Sequence, residues 1–369
     1  MQIPMKTIPG YFNSKPGIQV GTKLEIRQPM PGTGFLTDDF IQIDEKGKML
    51  LDKDTIQFHQ QMGIEWVMVT QIPEHSAARY RELKHMLAEY GLKIYRIANN
   101  RMHNMKSITL GLSDRDKWIE EYLQYITDLG AAGIHYSTYA HMSDGIWRDE
   151  VRRPVRGGAI GTGLDFSLLN HGTWDDDVYS WPLSHGREYS EEELWENYEY
   201  FIKQVVPVAE SAGVYIGVHP DDPPGYTIAG VPRCIFGTFE GYKRALEIAD
   251  SPNIGACLCT GCWLEAGAKA AGSTPVEFIQ YFGERKKLFK VHVRNVTGSL
   301  DQPGGFNETF PDDGYGDLIE IIKALDDVGY DGCIINDHLI NMVGGPYVPE
   351  TYFTTYLRGV TNTVQHHLK

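Results

Sequence analysis

The chain has 369 residues, of which 42% are hydrophobic and 22% charged, and its formal net charge is -15. This composition is typical of a folded globular protein and excludes a largely disordered chain. The acidic charge excludes a broad nucleic-acid-binding surface, which needs a basic face. No apolar run reaches the roughly eighteen residues of a membrane span, so we expect no membrane partner.

Cysteine usage and the amino terminus indicate the compartment. The five cysteines are an odd number, and three of them lie between Cys257 and Cys262, which disfavours a disulfide framework. The first residues, Met-Gln-Ile-Pro-Met-Lys, lack the apolar stretch of a signal peptide. We therefore expect a cytoplasmic protein with reduced thiols.

One pattern recurs along the chain: a short β-branched or aromatic run, then a stretch whose apolar residues repeat with the period of a helix. The predicted strands are Thr22–Arg27, Glu65–Thr70, Lys93–Ala98, Ile134–Tyr139, Tyr215–His219, Ile254–Cys259, Phe289–Val293 and Gly332–Asp337. The predicted helices are Lys53–Met62, Ser76–Tyr90, Asp114–Leu129, Glu191–Ser211, Phe239–Ala249, Pro275–Phe282 and Gly316–Val328.

Strands that alternate with helices of this length predict parallel βαβ units. Eight units favour an α/β protein with a closed (β/α)8 TIM barrel, formed as a single domain over residues 1–369. The alternative is an open, doubly wound sheet, which the absence of a glycine fingerprint after an early strand disfavours.

Two long stretches break the alternation of strands and helices. Residues 28–50, after the first strand, and residues 140–190, after the fourth, are rich in residues typical of loops. Because both follow strand ends, both are expected over the active-site face, and we expect the second to form part of a lid.

The last four predicted strands each carry, at or near the end, a residue that is able to bind a metal ion. These residues are His219, Cys259, His292 and Asp337. The carboxyl ends of consecutive barrel strands are neighbours on the catalytic face, so the four side chains can converge on one ion. The set suits Zn2+, Fe2+, Co2+ or Mn2+ better than Mg2+ or Ca2+, and ligand type does not choose among those four.

Simpler interpretations compete with a metal site. A single histidine at a strand end is commonly a hydrogen-bonded structural residue, and a single buried cysteine commonly packs without further function. Cys259 and Cys262 also form a C-x-x-C, which suggests a redox pair or half of a zinc knuckle. A knuckle needs a second pair, however, whereas Cys234 and Cys333 are isolated. The equivalent position of all four candidates favours the shared metal site.

Two residues are candidates for proton transfer. His338 follows Asp337 directly, and adjacent side chains at a strand end point in different directions, which suits a general acid or base over the substrate. Tyr347, in a Gly-Gly-Pro-Tyr loop after the eighth strand, is placed to donate a proton near the metal. The alternatives are a surface histidine and a packing aromatic.

Three further residues are candidates for binding or orienting the substrate. Arg294 lies two residues beyond His292 and is able to grip a carboxylate with its planar guanidinium. Glu308, after the seventh strand, suits a hydrogen bond to a hydroxyl group. Asp221 belongs to the proline-rich turn after His219, where a carboxylate can orient neighbouring groups. A plain acidic turn is the alternative there.

Taken together, these residues resemble the mannonate dehydratase family, one of the xylose-isomerase-like barrels. The matching motifs are His-Pro-Asp-Asp-Pro-Pro from His219, Cys-Thr-Gly from Cys259, His-Val-Arg-Asn-Val from His292, Phe-Asn-Glu-Thr from Phe306, and the pair Asp337-His338. The helix Leu194–Lys203, His103 and the pair Trp147-Arg148 match as well. The resemblance covers most of residues 50–360 and is firmest in the second half.

The resemblance implies a reaction and roles for these residues. A manganese-type ion would be bound by His219, Cys259, His292 and Asp337, and an aldonic acid such as D-mannonate would lose water to give a 2-keto-3-deoxy acid. His338 and Tyr347 would supply the base for the C2 proton and the acid for the C3 hydroxyl, in an order left open. His103 and Arg148 would contact the substrate.

The chain also departs from the family pattern. The family reads Arg-Pro-Asp-His-Gly around the last motif, whereas this chain has Ile335, Asn336 and Leu339 in place of the Arg, the Pro and the Gly. Glu350 stands near an expected arginine. These differences spare the metal residues and concern the substrate.

Three functions therefore compete. The first is a hydro-lyase acting on D-mannonate or a related sugar acid. The second is an isomerase, an epimerase, or a keto-sugar lyase or hydratase that uses the same site. The third is a sugar-binding or regulatory protein without catalysis, which the Asp337-His338 pair disfavours. Barrels of this kind often assemble, so we expect a homo-oligomer whose ligand is a sugar acid or sugar derivative.

Overall fold

The computed structural model describes residues 17–24, 41–43, 49–70, 72, 74–345 and 347–368. Eight strands form its main sheet. In chain order they are β1 (Gln19–Leu24), β2 (Trp66–Val69), β3 (Lys93–Ile97), β4 (Tyr136–Ala140), β5 (Tyr215–His219), β6 (Ile254–Cys259), β7 (Leu288–Val293) and β8 (Cys333–Asn336).

The sheet is a parallel barrel. Its strands lie in the order β3-β2-β1-β8-β7-β6-β5-β4, and each of the seven neighbouring pairs is parallel. At the open side of the sheet, a parallel bridge joins Asn104, in the segment that follows β3, to Ala140 at the end of β4. The first strand therefore pairs with the last, as barrel closure requires. The predicted (β/α)8 barrel is confirmed, and the doubly wound alternative is wrong.

One long helix follows each strand. These helices are α1 (Lys53–Gln61), α2 (Ala77–Ala88), α3 (Arg115–Ala131), α4 (Glu191–Ala212), α5 (Phe239–Ala249), α6 (Pro275–Glu284), α7 (Leu318–Asp327) and α8 (Tyr347–His367). Short helices span Lys106–Thr109, Thr260–Ala266 and Ala268–Ala271, and short 3-10 turns span Asn100–Met102, Arg156–Gly158 and Phe166–Leu168.

Local sequence explains where several helices begin and end. Ser190 and Thr274 each form a capping box with the glutamate three residues later, which satisfies backbone N–H groups at the starts of α4 and α6. Gly213 ends α4 in the left-handed conformation, which costs glycine little. Such signals are readable from the sequence, and α5 has the predicted bounds.

The strand predictions are closest in the second half of the chain. Strands β5 and β6 have the predicted bounds. Strand β1 begins at Gln19, three residues before the predicted start, and the predicted residues 25–27 lie outside the described part of the chain. Tyr347, predicted in a loop, is the first residue of α8.

The segment between β4 and α4 is built from small strands. They are Ile146–Arg148, Arg153–Pro154, Ile160–Gly161, Gly163–Leu164, His171–Trp174 and Asp177–Ser180. Gly163–Leu164 pairs with Phe306–Thr309, which follows β7 and also pairs with Asn295–Val296. This pairing ties the inserted segment to the loop after β7.

Most of the long loop predicted after β1 lies outside the described residues. Its described parts, Ile41–Ile43 and Met49–Leu51, form an antiparallel pair. Among the described helices, none is long and apolar enough to cross a membrane.

Substitution of two helical glycines, one in α3 and one in α8, tests how closely the helices of the outer layer pack. A Cβ added to Gly130 in α3 would lie 2.4 Å from the backbone oxygen of Ala212 in α4, whereas one added to Gly359 in α8 would meet nothing within 4 Å. We expect Gly130→Ala to lower the free energy of unfolding by about 1–3 kcal/mol through overpacking. Gly359→Ala should raise it by about 0.5–1 kcal/mol, because alanine favours helix.

Thermal unfolding of the two variants beside the parent protein measures both effects. Opposite shifts of the melting temperature are expected from the same chemical change. An increase for both variants would contradict the close contact between α3 and α4.

Candidate metal centre and active site

Four side chains converge at the carboxyl ends of β5 to β8. His219 and Cys259 are the last residues of β5 and β6, His292 lies in β7, and Asp337 follows β8. One potential ligand atom from each lies within 4.8 Å of the others, and all four residues are buried. The barrel therefore brings together the four residues that the sequence selects as metal ligands, and they form a group that could hold a metal ion.

The hydrogen bonding of the two histidines fits a cation in this group. The Nδ1 atom of His219 lies 2.7 Å from the carbonyl oxygen of Pro220. An N–H at Nδ1 donates there and leaves the lone pair of Nε2 for a metal, a common arrangement for ligating histidines. Both ring nitrogens of His292 are buried without a hydrogen-bond partner. Buried polar atoms of this kind call for a ligand.

The environment of Cys259 favours a thiolate. Its sulfur accepts from the backbone N–H of Cys262 at 3.5 Å and lies 3.7 Å from Nη2 of Arg294. Burial acts to raise the pKa of this thiol, but a hydrogen bond with the side chain of Cys262 and the charge of Arg294 hold it well below its ordinary value. A thiolate is the form that binds metals.

A buried network of two arginines and three carboxyl groups lies beside these four residues. Arg148 donates to Asp222 at 2.6 Å, to Glu265 at 3.0 Å and to Glu308 at 2.9 Å. Arg294 donates to both Glu265 and Glu308 at 2.5 Å and lies 3.4 Å from Asp222. The network joins the loops after β5, β6 and β7 to the inserted segment that carries Arg148.

This network changes the interpretation of Arg294. The side chain is fully buried, and its donors point to carboxyl groups of the protein and to the sulfur of Cys262 at 3.2 Å. Its guanidinium thus faces carboxyl groups and a cysteine of the protein itself, where the sequence predicted contact with a substrate carboxylate. Asp222, Cys262 and Glu265 also lie close enough to hold a cation, but the two guanidinium groups already supply positive charge there.

His338 connects the network to the metal group. Its Nδ1 lies 2.7 Å from Oε1 of Glu308, and its Nε2 lies 3.9 Å from Oδ2 of Asp337. The residue has a φ of 32°, a conformation that is uncommon outside glycine and occurs often at functional sites. Burial acts to lower the pKa of His338, but Asp337 and Glu308 raise it above its ordinary value.

Known proteins resemble this chain along most of its length. The sequence profile of the family described as D-mannonate dehydratase (UxuA) matches residues 52–369. A mannonate dehydratase of Thermotoga neapolitana is 34% identical over 282 residues, which cover 70% of this chain and 76% of that protein. One of Streptococcus pneumoniae is 34% identical over 275 residues, covering 70% and 72%. The chain belongs to the D-mannonate dehydratase family.

Solved structures agree with this family and with the barrel. The crystal structure of mannonate dehydratase from Streptococcus suis serotype 2 has a TM-score of 0.74 and 27% identity, with 95% of both chains covered. An L-ribulose 3-epimerase structure has a TM-score of 0.54 at 13% identity, covering 86% of this chain and 90% of that one, and shares the fold alone. The predicted family, and with it the predicted hydro-lyase class, is confirmed.

Asn336 and Glu350, two residues that depart from the mannonate dehydratase motif, are joined by a hydrogen bond in the structure. The amide of Asn336 donates to Oε1 of Glu350 at 3.0 Å. Hydroxyl groups of Thr22 and Thr354 also donate to that oxygen. Ile335 is fully buried in the core beside its register partner His292. The altered residues therefore join α8 to β1 and β8 and leave the metal group intact.

Asp221, predicted to bind substrate, lies in a different environment from its neighbour Asp222. It lines a small buried cavity with Asp144, Arg233 and Ser143. Burial raises the pKa of Asp221 to about 7, although Arg233 opposes this shift. Asp222, by contrast, belongs to the arginine network, although it was not among the predicted site residues. Adjacent aspartates in a proline-rich turn offer no periodicity that would distinguish them.

His103 lies at the metal group on the side of the inserted segment. Its ring stacks on Trp174 with centroids 5.1 Å apart and lies 6.1 Å from the ring of His219. Burial and the charge of Arg96 hold the pKa of His103 well below its ordinary value. Trp174 was not predicted, because nothing in the inserted segment marks which aromatic faces the barrel.

Tyr347 contacts the neighbouring helix α1. Its hydroxyl lies 3.2 Å from Oγ1 of Thr55, and its ring packs against Phe58 with centroids 4.4 Å apart. The side chain is 40% exposed. The structure thus places His338 beside the metal group but leaves Tyr347 at the edge of the barrel between α8 and α1.

The metal group predicts a specific role for one of the five cysteines. We expect Cys259→Ser to weaken Co2+ binding at least tenfold and to abolish sulfur-to-cobalt charge-transfer absorption, because the thiolate is the soft ligand of the set. Cys234→Ser is the matched control, since Cys234 is only partly buried and lies outside the group. Retention of that absorption in Cys259→Ser would contradict the assigned ligand set.

Proposed function

We propose that this protein removes water from D-mannonate and releases a 2-keto-3-deoxy acid. The observation that carries the proposal is the position of His338 beside the converged His219, Cys259, His292 and Asp337, in a member of the mannonate dehydratase family. The isomerase and epimerase alternatives have weaker support, because the epimerases that resemble this chain share only the barrel.

We propose that the four converged residues hold one divalent ion, with Mn2+ preferred and Fe2+, Co2+ or Zn2+ as alternatives. The orphaned nitrogens of His292 and the lowered pKa of Cys259 support a cation there. When bound, such an ion supplies Lewis-acid stabilisation of the negative charge that develops on the substrate carboxylate as the C2 proton leaves.

His338 is our candidate for proton transfer. If Nδ1 donates to Glu308, the imidazole has a fixed orientation and Nε2 is the atom that exchanges a proton with the substrate. The side chain remains 30% exposed, which leaves the ring accessible from the catalytic face. Glu308 thus serves His338 as a positioning residue, and its own two arginine contacts keep it fixed.

Tyr347 is our candidate for the second proton transfer. It follows Gly344 and Gly345, which both have positive φ values, so the backbone before it adopts conformations that other residues disfavour. In this role the hydroxyl group of Tyr347 would give up its contact with Oγ1 of Thr55 and contact the substrate instead.

We also propose that the segment between β4 and α4 covers the catalytic face of a single barrel domain. Two contacts support this role: Trp174 stacks on His103, and Arg148 reaches Glu308. His103 and Arg148 would contact the substrate, whereas Arg294 and Asp221 would act from behind the site. Assembly into a homo-oligomer also stays a prediction.

Turnover of D-mannonate tests the proposed function. Metal-stripped protein reconstituted with Mn2+ should form a 2-keto-3-deoxy acid, detected by its thiobarbiturate product. His338→Ala should lower kcat by about 10²–10⁴-fold, the usual contribution of a general acid or base. His366→Ala, in the exposed last turn of α8, is the control. Absence of product from reconstituted wild-type protein would exclude D-mannonate as the substrate.

A further inference from the structure

We propose that Thr162 is a positioning residue for His338, so that the inserted segment between β4 and α4 is needed to align the proton-transfer group. The hydroxyl of Thr162 bonds one carboxylate oxygen of Glu308, and the other oxygen of Glu308 contacts the imidazole. The inference rests on the proposed function and adds a residue to it.

The two carboxylate oxygens of Glu308 have different partners. Its Oε1 lies 2.7 Å from Nδ1 of His338 and accepts from Arg148 at 2.9 Å and from Arg294 at 2.5 Å. Within the described part of the chain, the donor to Oε2 is the hydroxyl of Thr162, at 2.5 Å. A carboxylate held through one oxygen can still turn about that atom, whereas a bond to the second oxygen fixes its plane.

The backbone of the inserted segment approaches Glu308 closely at this residue. The backbone N–H of Glu308 donates to the carbonyl oxygen of Thr162 at 2.7 Å. A Cβ added to Gly161 would clash with the carbonyl oxygen of Glu308, and one added to Gly163 would clash with that of Phe306. Glycine on both sides of Thr162 therefore permits the approach that brings its hydroxyl to the carboxylate.

The location of Thr162 separates this hydrogen bond from core packing. Thr162 is exposed, whereas the side chain of Glu308 is only 4% exposed. Loss of the hydroxyl would therefore remove a donor from a buried carboxylate without leaving a cavity in the core. We expect the consequence in the orientation of Glu308, with the fold unchanged.

The contacts form a continuous path from the inserted segment to the metal group. Thr162 bonds Glu308, Glu308 contacts Nδ1 of His338, and Nε2 of His338 lies 3.9 Å from Oδ2 of Asp337. A general acid or base acts only when it is aligned with the proton that it transfers. Displacement of the inserted segment would release Oε2 of Glu308 and leave His338 less well aligned.

Kinetics of Thr162→Val and Thr162→Ser on Mn2+-loaded protein test the inference. Valine keeps the branched shape without the hydroxyl, and serine keeps the hydroxyl. Thr162→Val should lower kcat for D-mannonate roughly 10- to 100-fold, because a displacement of about 1 Å at a reacting group can cost that much. It should leave KM and the Mn2+ content unchanged, and Thr162→Ser should recover most of the wild-type kcat. Thr127→Val is the control, because that exposed hydroxyl donates to Leu123 within α3.

The crystal structure of Thr162→Val supplies a second readout that does not depend on turnover. It should show Glu308 turned, with Oε1 farther than the present 2.7 Å from Nδ1 of His338. An unchanged Glu308 or an unchanged kcat would overturn the inference. A raised KM with wild-type kcat would make Thr162 a substrate contact and would overturn it too. If wild-type protein does not dehydrate D-mannonate, the proposed function fails, and the crystal structure alone decides the inference.

Discussion

The pairing of two buried guanidinium groups with three buried carboxyl groups is the interaction on which the rest of the site depends. Neither Arg148 nor Arg294 can stay buried and charged without its carboxylate partners. Burial raises the pKa of Glu265 well above its ordinary value, while the arginines oppose that shift. Glu308 differs, because His338 and the two arginines outweigh burial and lower its pKa. The network thus keeps a charged acceptor in place for His338.

The barrel supplies the other half of the arrangement. Parallel strands direct His219, Cys259, His292 and Asp337 to one rim, so four side chains from distant parts of the sequence converge without a dedicated loop. Arg294 is adjacent to both parts: it bonds the carboxyl groups of the network and lies 3.7 Å from the sulfur of Cys259. Arg294 therefore contacts both the carboxyl group of Glu308, which lies against His338, and the sulfur of the candidate ligand Cys259.

The fold and the convergence of the four candidate ligands follow from the sequence because both depend on regular patterns. Strands β5 and β6 have unambiguous apolar runs, and the barrel makes their last residues neighbours. The arginine network depends on contacts between distant segments, such as Arg148 with Glu265, which no local period encodes.

We propose that one thiolate, two imidazoles and one carboxylate together hold a single ion at the rim of the barrel. X-ray absorption spectroscopy of the zinc-loaded protein measures this ligand set most directly. The predicted spectrum contains one sulfur ligand at about 2.3 Å together with nitrogen and oxygen ligands at about 2.0–2.2 Å. A first shell of oxygen and nitrogen alone would show that Cys259 is not a ligand and would contradict the account.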